Sequence, residues 1–131
     1  MFKKRRTIKT KPIVLDPSLL RDLMTSEDYL KRGMAFYARK QYEEAERDLR
    51  TAISLNDALV DAYYALGLVL KAESRKEEAI QVFEKLLDLI GRGVVKNSQK
   101  TAMLRRLTKG HINFLTTGDW NLEKELWQRI L

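Results

Sequence analysis

Along the middle of this 131-residue chain, apolar side chains recur three or four positions apart, the spacing that gathers them on one face of an α-helix. Over residues 27–39 the set is Tyr29, Met34, Phe36 and Tyr37, and over 42–55 it is Ala45, Leu49, Ala52 and Ile53. Over 61–72 it is Tyr63, Leu66, Val69 and Leu70, and over 76–90 it is Ala79, Phe83, Leu86 and Leu87. The pattern predicts four helices. Composition agrees: Ala, Leu, Glu, Lys and Arg dominate, whereas there are only two prolines and six glycines. Straight-chain residues lose little rotamer freedom in a helix, which favours helix over strand. Ser74 with Glu77 three residues on forms a capping-box signature for the fourth helix. Asn56-Asp57 punctuates the join before the third helix and is suited to cap it.

The four helices form two copies of one unit. Residues 26–59 and 60–93 align at an offset of 34, with identities at Tyr29/Tyr63, Gly33/Gly67, Ala38/Ala72, Glu43/Glu77, Glu44/Glu78, Ala45/Ala79 and Leu55/Leu89. Chance supplies about two identities in such a window. Apolar character also matches at Met34/Leu68, Phe36/Leu70, Leu49/Phe83 and Ala52/Leu86. A period of this length is the mark of a helical repeat.

The order of residue types resembles the tetratricopeptide repeat: a bulky residue, a mid-helix glycine, an aromatic near the turn, Glu-Ala, then a large apolar and a small residue. Tyr29, Gly33, Phe36, Tyr42, Ala45, Leu49 and Ala52 carry it in the first unit, and Tyr63, Leu66, Gly67, Leu70, Ala79 and Phe83 in the second. Two departures stand out: Lys76 replaces the aromatic at the second turn, and Asp57 and Gly91 replace the proline between repeats. The small residues Gly33, Gly67, Ala45 and Ala79 are expected where paired helices approach most closely. The resemblance implies an all-α fold, a short α-solenoid of about three helix pairs with a short N-terminal helix.

A worn third unit is expected over 94–131. Gly118-Asp119-Trp120 resembles an inter-helix turn, and Trp127 follows Trp120 by seven residues, as Leu49 follows Tyr42. In that register Leu107 and Phe114 take packing positions and His111 replaces the glycine; a one-residue slip puts Gly110 there instead, and both registers stay open. About ten inserted residues around 91–103 require a longer loop or a longer first helix, and a divergent terminal unit is what the end of an array requires. Upstream, Asp16-Pro17 opens a short helix over 17–24, expected to cap the first repeat. Residues 1–15 form a basic arm without apolar periodicity, expected to be disordered when unbound.

Charge is uneven. Residues 1–12 hold six basic and no acidic side chains, 13–90 hold 11 basic and 15 acidic, and 91–118 again hold six basic and none acidic. Lys3, Lys4, Arg5 and Arg6 are therefore candidate anion contacts, for a nucleic acid or an anionic surface. Only Phe2 could stack on a base, so such binding would be non-specific. A solvated tail is the plain alternative. No apolar run reaches the roughly 20 residues that cross a bilayer, and Ile13-Val14-Leu15 is too short for a signal-peptide core, which makes a cytoplasmic location the expectation.

Catalytic chemistry finds no support: there is one histidine, no cysteine, no Gly-rich phosphate loop and no metal-ligand spacing. No cofactor is expected. The Glu43-Glu44 and Glu77-Glu78 pairs recur near helix starts, where carboxylates favour the dipole. His111 reads as a packed or partly exposed helix residue and not a metal ligand, since a metal site needs several ligands. The resemblance implies instead a protein-binding groove lined by the first helix of each unit. Its candidate positions are Glu27, Leu30, Met34 and Tyr37, then Asp61, Tyr64, Leu68 and Lys71, with Arg105, Thr108, Ile112 and Leu115 in the third unit. Relatives that clamp a carboxylate terminus carry Lys, Asn and Arg at such places, where Leu30 and Met34 stand here. The expected ligand is thus a peptide or amphipathic helix with an apolar face. Filling by Ile13-Val14-Leu15, or packing of one copy against another, would also cover such a groove, so monomer and homodimer both remain open.

Overall fold

A computed structural model describes residues 24–120, which form five helices and, among these residues, no strand. They are α1 (Ser26–Ala38), α2 (Tyr42–Leu55), α3 (Val60–Ala72), α4 (Lys76–Gly91) and α5 (Ser98–Thr117). The first four match the expected spans to within a residue. The basic arm with Lys3, Lys4, Arg5 and Arg6, nearly all of the expected 17–24 helix, and the expected second helix of the third unit lie outside the described residues.

Helix ends follow local chemistry, not always as expected. The capping box stands at α1: Thr25 Oγ1 accepts from the Asp28 backbone at 3.2 Å, while Asp28 Oδ2 accepts from the Thr25 backbone at 3.0 Å. These bonds hold the Asp28 carboxyl below its ordinary value. The box expected from Ser74 and Glu77 does not form. Ser74 lies two residues before α4 with φ 62°, and α4 has no side-chain cap. Ser74 instead ends α3 in a Schellman motif, with Ser74 N donating to Lys71 O (3.0 Å) and Arg75 N to Leu70 O (2.9 Å). Thirty-four residues earlier Lys40 has the same φ of 62°, and Lys40 N and Gln41 N donate to Tyr37 O and Phe36 O. The repeat thus extends to backbone geometry where residue identity is lost. Asn56 likewise caps a turn and not a helix: its Oδ1 accepts from Ala58 N at 3.1 Å, and the N-cap of α3 is Leu59.

Both routes absorb the insertion. A loop runs over 92–97, and α5 has 20 residues where α1 and α3 have 13. Asn97 starts α5 by accepting from Lys100 N, and Gly118, at φ 79°, ends it.

Each helix packs on the next, and α1 also touches α3, so the first helices of the two units lie side by side. The small residues sit where the repeat pattern requires. A Cβ on Gly33 would fall 2.8 Å from Leu49, and one on Gly67 would fall 2.3 Å from the Phe83 ring. Ala45 and Ala79 are fully buried in the same seams. One core cluster runs from Tyr29 and Leu30 through Leu49, Leu66 and Leu70 to Phe83 and Leu115. A second joins Val60, Tyr63, Leu86, Leu89 and Ile90 to Leu104 of α5.

Candidate interaction surface

Side chains on α1, α3 and α5 make the candidate surface. Met34 is 51% exposed, and Tyr37, Tyr64, Leu68 and Lys71 are half-buried. Tyr37 is steadied by the Tyr42 ring, with centroids 5.9 Å apart. Leu30 differs from expectation. It is only 8% exposed and joins the core cluster with Leu49, so it offers little to a ligand. Thr108 and Leu115 are buried too, because α5 turns that stripe inward, whereas Ile112 stays half-buried. Asp61 is occupied by Lys100 Nζ at 2.9 Å. Phe114, expected at a packing position, is 46% exposed and lies beside Lys71, whose Nζ is 4.9 Å from the ring centroid.

His111 ties α3 to α5. Lys71 Nζ lies 3.1 Å from Nδ1, and Tyr64 Oη lies 3.0 Å from Nε2. An ammonium group only donates, so Nδ1 must present its lone pair. The ring is therefore neutral and protonated on Nε2, which donates to the Tyr64 hydroxyl. The imidazole stacks on Phe83 at 5.2 Å and meets the Trp120 ring edge-on at 4.7 Å. Burial, and then the Lys71 charge, push its pKa down to about 4. The neighbouring Gly110 faces Trp120, which a Cβ there would overlap, the relationship that Gly33 has with Leu49 and Gly67 with Phe83.

Away from this surface, two ionic groups fasten the helices. Asp48 of α2 is almost fully buried and accepts from Arg32 of α1 through both oxygens, at 2.6 and 2.9 Å. Arg75 reaches Glu46, Glu73 and Glu78, linking α2 to the start of α4. Among the described residues no group of three or more His, Cys, Asp or Glu is placed to hold a metal ion. No described helix is long and apolar enough to cross a membrane.

Residues 33–74 match the family described as TPR repeat, and residues 60–91 match the tetratricopeptide repeat. The chain carries tetratricopeptide repeats. The small glutamine-rich tetratricopeptide repeat-containing protein 2 of Saccharomyces cerevisiae is 33% identical over 63 residues, which are 48% of this chain and 18% of that protein. No solved structure matches. Tetratricopeptide repeats are protein-interaction elements and not, in general, catalytic ones, and residues 33–91 form a module of that kind.

The inter-helix contacts of Asp48 and His111 were not legible in the sequence, though each residue left a trace. Asp48 falls on the stripe of Ala45 and Ala52, and His111 on the stripe of Leu104, Thr108 and Leu115. A polar residue at a buried helical position signals a specific partner, because burial without one is costly. The partner's identity was not legible, since Arg32 and Lys71 come from other helices.

Proposed function

We propose that the face carrying Met34, Tyr37, Tyr64 and Leu68, with Lys71 and Phe114 at its α5 end, binds a peptide or amphipathic helix of a partner protein through apolar side chains. The observation that carries this reading is the exposure of Met34 beside three half-buried apolar or aromatic side chains on two helices that touch. A thioether is flexible and polarizable, suited to a surface that adapts to a ligand. Burying a few such side chains contributes several kcal/mol at about 25 cal/mol per Å², enough for roughly micromolar binding after association costs.

Selection of displayed peptides on the immobilised protein tests the reading. Enriched sequences should share large apolar residues at i, i+3 and i+4, or alternating along an extended strand. Met34→Glu should abolish their binding while helix content stays unchanged. Retention of binding by that variant would move the site elsewhere. So would enrichment of purely charged sequences.

A further inference from the structure

We propose that Lys71, Tyr64 and His111 form an acid-sensitive latch that holds α5 against α3, and that protonating His111 releases α5. The latch stands on geometry. Both ring nitrogens of a buried imidazole are engaged, at 3.0 and 3.1 Å, and both partners come from α3. Among the described residues the ion pair between these helices is Asp61–Lys100, at the far end of α5. A proton added at Nδ1 meets the Lys71 ammonium, whose charge already acts on the ring. Among the described residues, the rings that touch it, Tyr64 of α3, Phe83 of α4 and Trp120, offer no anion to offset it. The new N–H would face a donor instead of an acceptor, so the bond is lost and replaced by repulsion between like charges.

The folded state therefore resists protonation, and an imidazole freed by release of α5 takes the proton at its ordinary value of 6.5. By linkage, α5 docking is strongest above that value and weakens as pH falls from 6.5 towards about 4. Phe114 and Ile112 ride on the same helix, so release would remove them from the binding face. That consequence rests on the reading of the face given above, whereas the latch itself belongs to the free protein.

His111 is the single histidine of the chain, so its imidazole signals can be followed without ambiguity. In the full chain without ligand, nitrogen shifts should show a neutral ring protonated on Nε2 at pH 7. The titration midpoint should lie below 6.5, displaced towards about 4, with amide protection of residues 104–115 falling through the same range. A midpoint near 6.5, an Nδ1-protonated ring, or full protection of α5 on the acid side of the midpoint would each overturn the latch. Lys71→Met keeps the ring and its packing but removes the charge, and should raise the midpoint. An unchanged midpoint contradicts the role of Lys71. In His111→Phe, which keeps a ring on Phe83, α5 protection should no longer change between pH 6.5 and about 4. Persistence of the change in that variant assigns it to the carboxylates and overturns the proposal. These readouts involve no ligand, so they stand or fall separately from binding at Met34.

Discussion

Gly67 and Phe83 meet with no room for a side chain at position 67: an added Cβ would sit 2.3 Å from the edge of a ring that is itself fully buried. Phe83 cannot swing away freely, because His111 stacks on its plane. Gly67→Ala gains about 1 kcal/mol of helix propensity but overpacks this seam by about 1–3 kcal/mol. The expected outcome is a net loss of stability in chemical denaturation. Gly91→Ala is the control. Its Cβ meets nothing within 4 Å near the end of α4, so that variant should be neutral or slightly more stable.

Arg32 and Asp48 form a one-sided ion pair, half-exposed on the arginine and buried on the aspartate. Arg32→Met leaves a desolvated carboxylate without its two donors and should cost about 1–3 kcal/mol. Adding Asp48→Asn should recover part of that loss, because the stranded charge is gone. A urea titration of the two variants checks the order; if the double variant is the less stable, the carboxylate is satisfied some other way.

Lys40 and Ser74 hold left-handed backbone at equivalent points of the two repeats. A side chain there costs about 1–2 kcal/mol that glycine avoids, partly offset by glycine's greater freedom when unfolded. Ser74→Gly should therefore raise the melting temperature slightly, and Ser74→Val should lower it.

Arg75 lowers the pKa of Glu46 and of Glu78 by hydrogen bonds to their carboxylates. A carboxyl whose folded pKa is depressed contributes stability that is complete above its unfolded value of 4.5 and is lost as pH falls through the folded one. Arg75→Gln should flatten the dependence of melting temperature on pH below that value and reduce its sensitivity to salt. An unaltered acid limb would mean that the network contributes nothing to folding.

The fold was legible because its information is local and periodic. Helical spacing placed α1 to α4, and glycines repeating at 34 marked the seams now seen at Leu49 and Phe83. Helix ends were less legible, because the Schellman turns at Lys40 and Ser74 use backbone bonds that no residue type announces. The candidate face was partly legible. Spacing alone put Leu30 and Met34 on one face, but the approach of α2 and α3 decides which of them is covered, and that is a tertiary fact. A variant at Leu30 would consequently damage folding, and Met34 is the position that probes binding.

Site-specific photo-crosslinking tests the proposed face most directly. A benzoylphenylalanine placed at Met34 would stand on the face, and one at Arg47 would stand on the exposed outer side of α2. In cells that make the protein, position 34 should capture a discrete protein partner, and Leu68→Glu on the neighbouring helix should suppress that capture. Position 47 should not capture it. Equal capture from both positions, or capture from position 47 alone, would contradict the assignment of partner binding to the face of Met34, Tyr37, Tyr64 and Leu68.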